Sequence, residues 1–138
     1  MRLTSLAKVD SKGRITIPQT IRETLDIEPG MFMALIADLE RREIIVTPIY
    51  TKGENIYEVE VTVVDKPGSL AKLTEALAEN KVDIITNRCA SIMRREEASC
   101  TMIVDTSESG LTLEDLKRII NELDIVTQVK VKPFETII

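Results

Sequence analysis

Two groups of residues in this 138-residue chain combine types and spacing that could do chemistry. The first is the run Asp65-Lys66-Pro67-Gly68-Ser69-Leu70, placed between an alternating apolar segment and a helical stripe. A helix beginning there offers unpaired N–H groups and a positive dipole end, which together attract a carboxylate. Gly68 lets a ligand approach the backbone closely, and Pro67 fixes the loop while removing one donor. Asp65 can accept from an ammonium group or brace the loop. A zwitterionic amino acid suits such a place without any catalytic side chain. The same residues equally describe a plain strand-to-helix turn in a dimerisation module, and both readings stay open at this level. The second group is Lys8, Lys12, Arg14 and Arg22, with only Asp10 and Glu23 among them. Several cations gathered on one face neutralise phosphates and release counterions.

Much other chemistry is excluded. The chain has no His, which removes imidazole acid–base catalysis and every zinc site that needs a His ligand. No nucleophile with a base partner, no phosphate-cradling glycine loop and no paired carboxylates stand out, so no enzyme, metal or cofactor is expected. Without Trp, and with only two Tyr and two Phe, a base-stacking single-strand binder is disfavoured. Cys89 and Cys100 cannot cage zinc and lack redox-motif spacing; they read as two reduced thiols on strands. The longest wholly apolar run, Met31–Ala37, is seven residues, far short of a membrane span, and the N-terminus has no apolar signal core. The expectation is a cytoplasmic protein without a membrane partner.

Charge divides the chain. Eighteen Lys+Arg against 23 Asp+Glu give −5 overall, yet residues 1–50 balance at seven against seven. The bases fall early and the acids gather around Asp38–Glu43, so a neutral piece can still present one positive face. Arg41 and Arg42 sit inside that acidic turn and are expected to pair locally. The joint Tyr50-Thr51-Lys52-Gly53-Glu54-Asn55 is polar, contains a Gly and reaches only about 20 Å extended. It separates two domains, 1–50 and 56–138, with 51–55 as linker.

Patterning supplies the elements. In the front domain, Ser5–Val9 and Arg14–Ile17 alternate around the turn Asp10-Ser11-Lys12-Gly13 and predict two strands. Pro18–Leu25 predicts a short helix, followed by strands over Met31–Ala37 and Glu43–Pro48. A piece this small, with open strand edges, gains stability by interlocking two copies, so an obligate dimer is expected. The rear domain predicts strand Ile56–Asp65, helix Ser69–Asn80, strand Val82–Met93, a hairpin tip at Arg94-Arg95-Glu96-Glu97, strand Ala98–Thr106, a second helix and strand Ile125–Phe134. Core stripes are Leu70, Leu73, Leu77 and Ala78 on the first helix, and Leu113, Leu116, Ile119, Ile120 and Leu123 on the second. Thr112 with Asp115 suggests a capping box. The order βαββαβ is ferredoxin-like, with one open sheet face, giving an α+β fold class.

Two resemblances follow from these residues. Lys8-Val9-Asp10-Ser11-Lys12-Gly13-Arg14-Ile15-Thr16-Ile17-Pro18, with Ile21-Arg22, Leu25 and Pro29-Gly30, resembles the AbrB-type swapped-hairpin domain over about Leu3–Ile49. That likeness implies an intertwined homodimer with a basic face for double-stranded DNA, in which Arg14 and Arg22 match the family's contact positions and Lys8 stands beside the first-strand position, here Ala7; with Lys12 these are the four cations named above. Asp65-Lys66-Pro67-Gly68-Ser69-Leu70 within βαββαβ resembles the ACT domain over about Ile56–Phe134. This likeness implies a regulatory module binding an amino acid or similar small molecule between paired copies, through Asp65, Pro67, Gly68, Ser69 and Leu70. Where that family often reads G-x-N before its second strand, this chain has Lys81-Val82-Asp83, so Asp83 takes the place of the Asn; Asn87 on the same strand offers a further polar contact. Together they imply a DNA-binding regulator with a small-molecule effector, working as a homodimer or larger homo-oligomer. The alternative is a regulatory or scaffolding subunit that uses both domains only to dimerise.

Overall fold

A computed structural model describes residues 1–50, 55–92 and 96–134. Most of the expected joint, together with Met93 and the Arg94-Arg95 part of the expected hairpin tip, lies outside these residues. The chain divides into two compact units, Met1–Lys52 and Gly53–Ile138.

The front unit has little interior. Helix α1 (Gln19–Thr24) follows Pro18, whose φ of −56° suits a helix entrance. Strands β1 (Phe32–Asp38) and β2 (Glu43–Ile49) form an antiparallel hairpin, paired from Phe32↔Ile49 to Asp38↔Glu43. Asp38 Oδ1 accepts from the amides of Glu40 and Arg41 in the turn, and Arg41 Nε lies 4.0 Å from Asp38 Oδ2. The Tyr50 hydroxyl donates to the Leu25 carbonyl at 2.7 Å and ties the hairpin's end to α1. Among the described residues of this unit only Ala34 and Ile49 are fully buried. Leu35, Ile44 and Val46 share one face of the hairpin by register and stand exposed.

Residues 1–18 contain neither helix nor strand, and residues 1–16 are exposed throughout. The expected strands Ser5–Val9 and Arg14–Ile17 are therefore corrected for the single chain. A strand needs a neighbour to receive its amides and carbonyls, and no described strand pairs with either segment. Only the turn between them forms. Asp10 N–H donates to the Arg14 carbonyl at 2.9 Å and Gly13 N–H to the Asp10 carbonyl at 3.0 Å.

The rear unit is a four-stranded antiparallel sheet with two helices on one face. Its elements are β3 (Ile56–Val64), α2 (Ser69–Glu79), β4 (Asp83–Ile92), β5 (Glu97–Asp105), α3 (Leu113–Asn121) and β6 (Val126–Pro133). Sheet order is β4-β5-β3-β6, which puts β4 and β6 at the edges. Alternation drives the layering: Val59, Val61 and Val63 of β3 and Cys100, Met102 and Val104 of β5 face the helices and are buried. They meet Leu73 and Leu77 of α2 and Leu116 and Ile120 of α3, all 0% exposed. The expected α2 stripe was too wide, since Ala78 is exposed and Leu70 is 42% exposed. Leu73 and Leu77 are that helix's buried apolar residues on the sheet. On the opposite sheet face Glu58 and Glu60 of β3 stand opposite Lys132 and Lys130 of β6, with Glu58 Oε2 3.0 Å from Lys132 Nζ, while Ile103 of β5 is buried beside Glu58.

Helix α3 begins with the expected capping box. Thr112 Oγ1 accepts from the Asp115 amide at 3.2 Å and the Thr112 amide donates to Asp115 Oδ2 at 3.1 Å. The Thr112 amide, then its hydroxyl and the Arg118 guanidinium, hold the Asp115 carboxyl below its ordinary value of 3.8. The Arg14 amide and then its guanidinium do the same for Asp10. A depressed folded-state value means the carboxylate stabilises the fold above pH 3.8, and that contribution disappears as pH falls through the folded-state value. Thermal unfolding followed by circular dichroism should therefore show a midpoint that is steady near neutrality and drops below about pH 4. Asp115→Asn should make the acid limb shallower.

Candidate functional site

The β3–α2 loop builds a small pocket with the end of β4. Asp65, Lys66, Ser69 and Leu70 form one wall, Cys89, Ala90 and Ser91 the other, and Val63, Ala98 and Cys100 the floor, around about 160 Å³. Such a cavity is close to the ~150 Å³ that holds a benzene-sized guest and below the ~300 Å³ at which ligand pockets begin. One chain thus offers a compact pocket on a sheet edge.

Local chemistry explains the loop's shape. Asp65 N–H donates to the Glu96 carbonyl at 2.8 Å, pinning the loop to the entry of β5. Asp65 Oδ2 accepts from Ser91 Oγ at 2.9 Å, pinning it to β4. Gly68 sits at the N-cap of α2 with φ +89°, a left-handed backbone that disfavours any side chain. No described side chain caps this end; the Ser69 amide donates to the Lys66 carbonyl at 3.1 Å, and Lys66 stands on the pocket wall. That end favours a carboxylate, and the Asp65 carboxylate favours a cation.

The expected ligand residues divide. Asp65, Ser69 and Leu70 line the pocket, with Pro67 and Gly68 in the loop between them. Ser69 is buried. Asn87 does not line the pocket, though it lies two residues before Cys89 and in phase with it on β4. Asp83 is corrected: it pairs with Asp105, which pairs with Ile56 at the start of β3. That is eight residues, or roughly 26 Å at the rise of a strand, from the loop after Val64. Within one chain Asp83 belongs to the opposite end of the sheet. Ser91 and Cys89 were not anticipated as lining residues; their signal was the period-2 phase they share with Asn87.

The cysteines are also corrected. Cys89 and Cys100 lie directly opposite across β4 and β5, Cα to Cα 4.0 Å, and form a disulfide. Eleven residues of separation conceal this, because pairing depends on where the intervening hairpin turns.

In the front unit the turn gathers its cations around one carboxylate. Asp10 Oδ1 accepts from the amides of Lys12 and Arg14, each at 2.9 Å, and Asp10 Oδ2 holds Arg14 Nε at 2.8 Å. Lys8, Lys12 and Arg14 are exposed. Arg22 stands apart on α1, half-buried, and its Nη1 donates to the Ile17 carbonyl.

Comparison with known proteins agrees with this division. Residues 57–121 match the family model for the ACT domain, and residues 6–52 match one described as antidote-toxin recognition MazE, bacterial antitoxin. The chain thus joins a MazE/AbrB-type domain to an ACT domain, two domain types of regulatory proteins. No curated protein matches the sequence. Among solved structures, an unknown protein from Galdieria sulphuraria superposes with a TM-score of 0.51 at 13% identity, over 60% of this chain and 46% of its own. An uncharacterized protein from Thermotoga maritima gives 0.45 at 16% identity, over 59% and 98%. A homoserine dehydrogenase from Thiobacillus denitrificans gives 0.43 at 20%, over 56% of this chain and 16% of its own. The first of these is a likeness of fold. This chain spans less than half of the Galdieria protein. No helix among the described residues is long and apolar enough to cross a membrane.

The loop geometry has a measurable consequence. A methyl group at Gly68 would meet nothing within 4 Å, so Gly68→Ala costs through backbone strain alone. Urea unfolding of the variant should show a loss of about 1–2 kcal/mol.

Proposed function

We propose that this protein is a DNA-binding transcription regulator whose ACT domain senses an amino acid or similar small metabolite. In this reading residues 1–50 pair with a second copy as an intertwined swapped-hairpin dimer. Residues 51–55 are the linker and residues 56–138 the sensor. The observation that carries it is the state of residues 1–16, which are exposed, with two strand-patterned segments lacking partners and a turn that holds out Lys12 and Arg14. A second copy supplies the missing pairing, covers the apolar face of Leu35, Ile44 and Val46, and doubles Lys8, Lys12, Arg14 and Arg22 on one side. Neither domain type is catalytic, and the reading includes no enzymatic step. A toxin-wrapping role would call for an extended segment after the front domain, whereas a folded βαββαβ unit follows.

The sensor half rests on the pocket's opposed polar features, a helix start without a side-chain cap and Lys66 for a carboxylate, and Asp65 for an ammonium group. Its partner edge is β4. Edge β6 carries Lys130, Lys132 and Pro133, which discourage strand pairing, while β4 offers the small residues Cys89, Ala90 and Ser91 at its pocket end. Antiparallel pairing of two β4 edges about a two-fold axis sets the Asp83 end of one strand beside the Ser91 end of the other. Asp83 of the partner subunit then returns to the pocket's border, completing a half-site.

The alternative reading is a scaffolding subunit that dimerises without DNA, favoured by the engagement of Arg22 with the Ile17 carbonyl. A salt titration separates the two. Log K for duplex DNA should fall linearly with log salt, with a slope of about −0.9 per phosphate contact. Arg14→Ala should flatten that slope by about 2, one contact from each copy. Absence of duplex binding at about 50 mM salt, where such contacts are strongest, would establish the scaffold instead. Separately, a melting screen with the twenty amino acids should find one that stabilises the protein by about 2.7 kcal/mol at a hundredfold excess over its Kd. No stabilisation by any of them would leave the loop as a structural turn.

A further inference from the structure

We infer that the Cys89–Cys100 pair is a thiol–disulfide exchange site reached through the pocket of the folded protein, taking a small or protein-borne dithiol as reductant. Three observations on independent features support it. The two cysteines are paired directly across β4 and β5. Their exposure is unequal: Cys89 is exposed on the edge strand, while Cys100 is 1% exposed on the interior strand beneath it. Both line the pocket formed by the ligand loop.

The inequality sets the direction of attack. An incoming thiolate meets Cys89 Sγ first; its sulfur bonds to Cys89 and the electron pair of the broken bond leaves on Cys100 Sγ, which takes a proton. The reductant's second thiol, as thiolate, then attacks its own sulfur in that mixed disulfide and releases the Cys89 thiolate, which is protonated in turn. In sum the protein disulfide and one dithiol become two protein thiols and one external disulfide, with two electrons and two protons transferred. Cys89 stays accessible throughout and Cys100 stays covered, so reversal needs no unfolding.

The pocket is part of the consequence. Ser91 follows Cys89 by two residues on the same face of β4 and donates to Asp65 of the ligand loop. Opening the disulfide removes the covalent tie between β4 and β5 at the pocket floor, and two separate thiols need more room than a bonded pair. The wall carrying Ser91 therefore differs between the oxidised and reduced states. This second step rests on the pocket being the effector site; the exchange site itself does not.

The test uses the full-length oxidised protein and dithiothreitol as the probe, with iodoacetamide quenching and mass spectrometry to count free thiols. Reduction should proceed in native buffer at a rate proportional to dithiothreitol, and Leu77→Ala should leave that rate within about twofold. A disulfide that opens only on global unfolding would instead be reduced roughly thirtyfold or more faster in Leu77→Ala, because losing that core side chain raises the unfolded fraction by at least that much. That result would overturn the inference. As a second measurement, Cys89 in Cys100→Ser should react with an aromatic disulfide reagent at least about tenfold faster than Cys100 in Cys89→Ser, following exposure of the thiolate. Equal rates would remove the directional mechanism. Repeating the amino acid melting screen on both redox states separates the remaining claims. Unequal stabilisation supports the coupling, and equal stabilisation removes it. No stabilisation in either state fails the effector reading while leaving the exchange site standing.

Discussion

Backbone amides and carbonyls must find partners, and the two units of this chain meet that demand in opposite ways. In the rear unit β3 is paired on both sides and β5 lies between β3 and β4, so the ladder closes within one chain. In the front unit the hairpin β1–β2 closes on itself, but the first sixteen residues have only their turn. A two-stranded hairpin alone is marginally stable in water. The unpaired segments and the bare apolar hairpin face are therefore two expressions of one deficit, and a single partner of matching chemistry resolves both. Lys8 and Arg14 of the proposed DNA face lie on those unpaired segments, so in the proposed dimer pairing and charge doubling happen together.

The turn at Asp10 shows how little sequence is needed to hold a charged group out. One carboxylate accepts two backbone amides and one guanidinium, so Arg14 is oriented without being buried. An exposed ion pair of this kind adds little stability. Its value is geometric, since the side chain's freedom is spent locally before any phosphate arrives. Arg22 is restrained differently, by a backbone carbonyl on the same chain, and the two arginines are therefore not equivalent contributors to a basic face.

Regular period-2 and helical patterns made the rear fold legible. Tyr57, Val59, Val61 and Val63 announced β3, and Thr112 with Asp115 announced the start of α3, because these signals depend only on neighbours in sequence. The front strands were legible as pattern but not as structure, since no described strand of the chain pairs with them. The pocket loop was legible from Pro67 and Gly68, yet its second wall was not. Locating Ser91 and joining Cys89 to Cys100 required the register of β4 on β5, fixed by Ile92↔Glu97. A hairpin tip centred one residue later would have set Cys89 opposite Met102. Asp83 shows the same dependence: its motif position does not say which end of the sheet it occupies within one chain.

In the proposed regulator, the pocket's position is where a bound effector meets the edge that a second copy would use. It lies at the meeting of the ligand loop with an edge strand, where a second copy can add or withdraw a neighbour. A ligand there can shift the protein only by the difference in its affinity for the two arrangements of that edge. In that reading a pocket of about 160 Å³ binds weakly alone and better when a second copy completes it, so its differential affinity is large relative to its total affinity. The disulfide acts on the same quantity, because it decides how firmly β4 holds its place beside β5. If both proposals hold, effector and thiol state are two inputs to one variable, the geometry of the β4 edge.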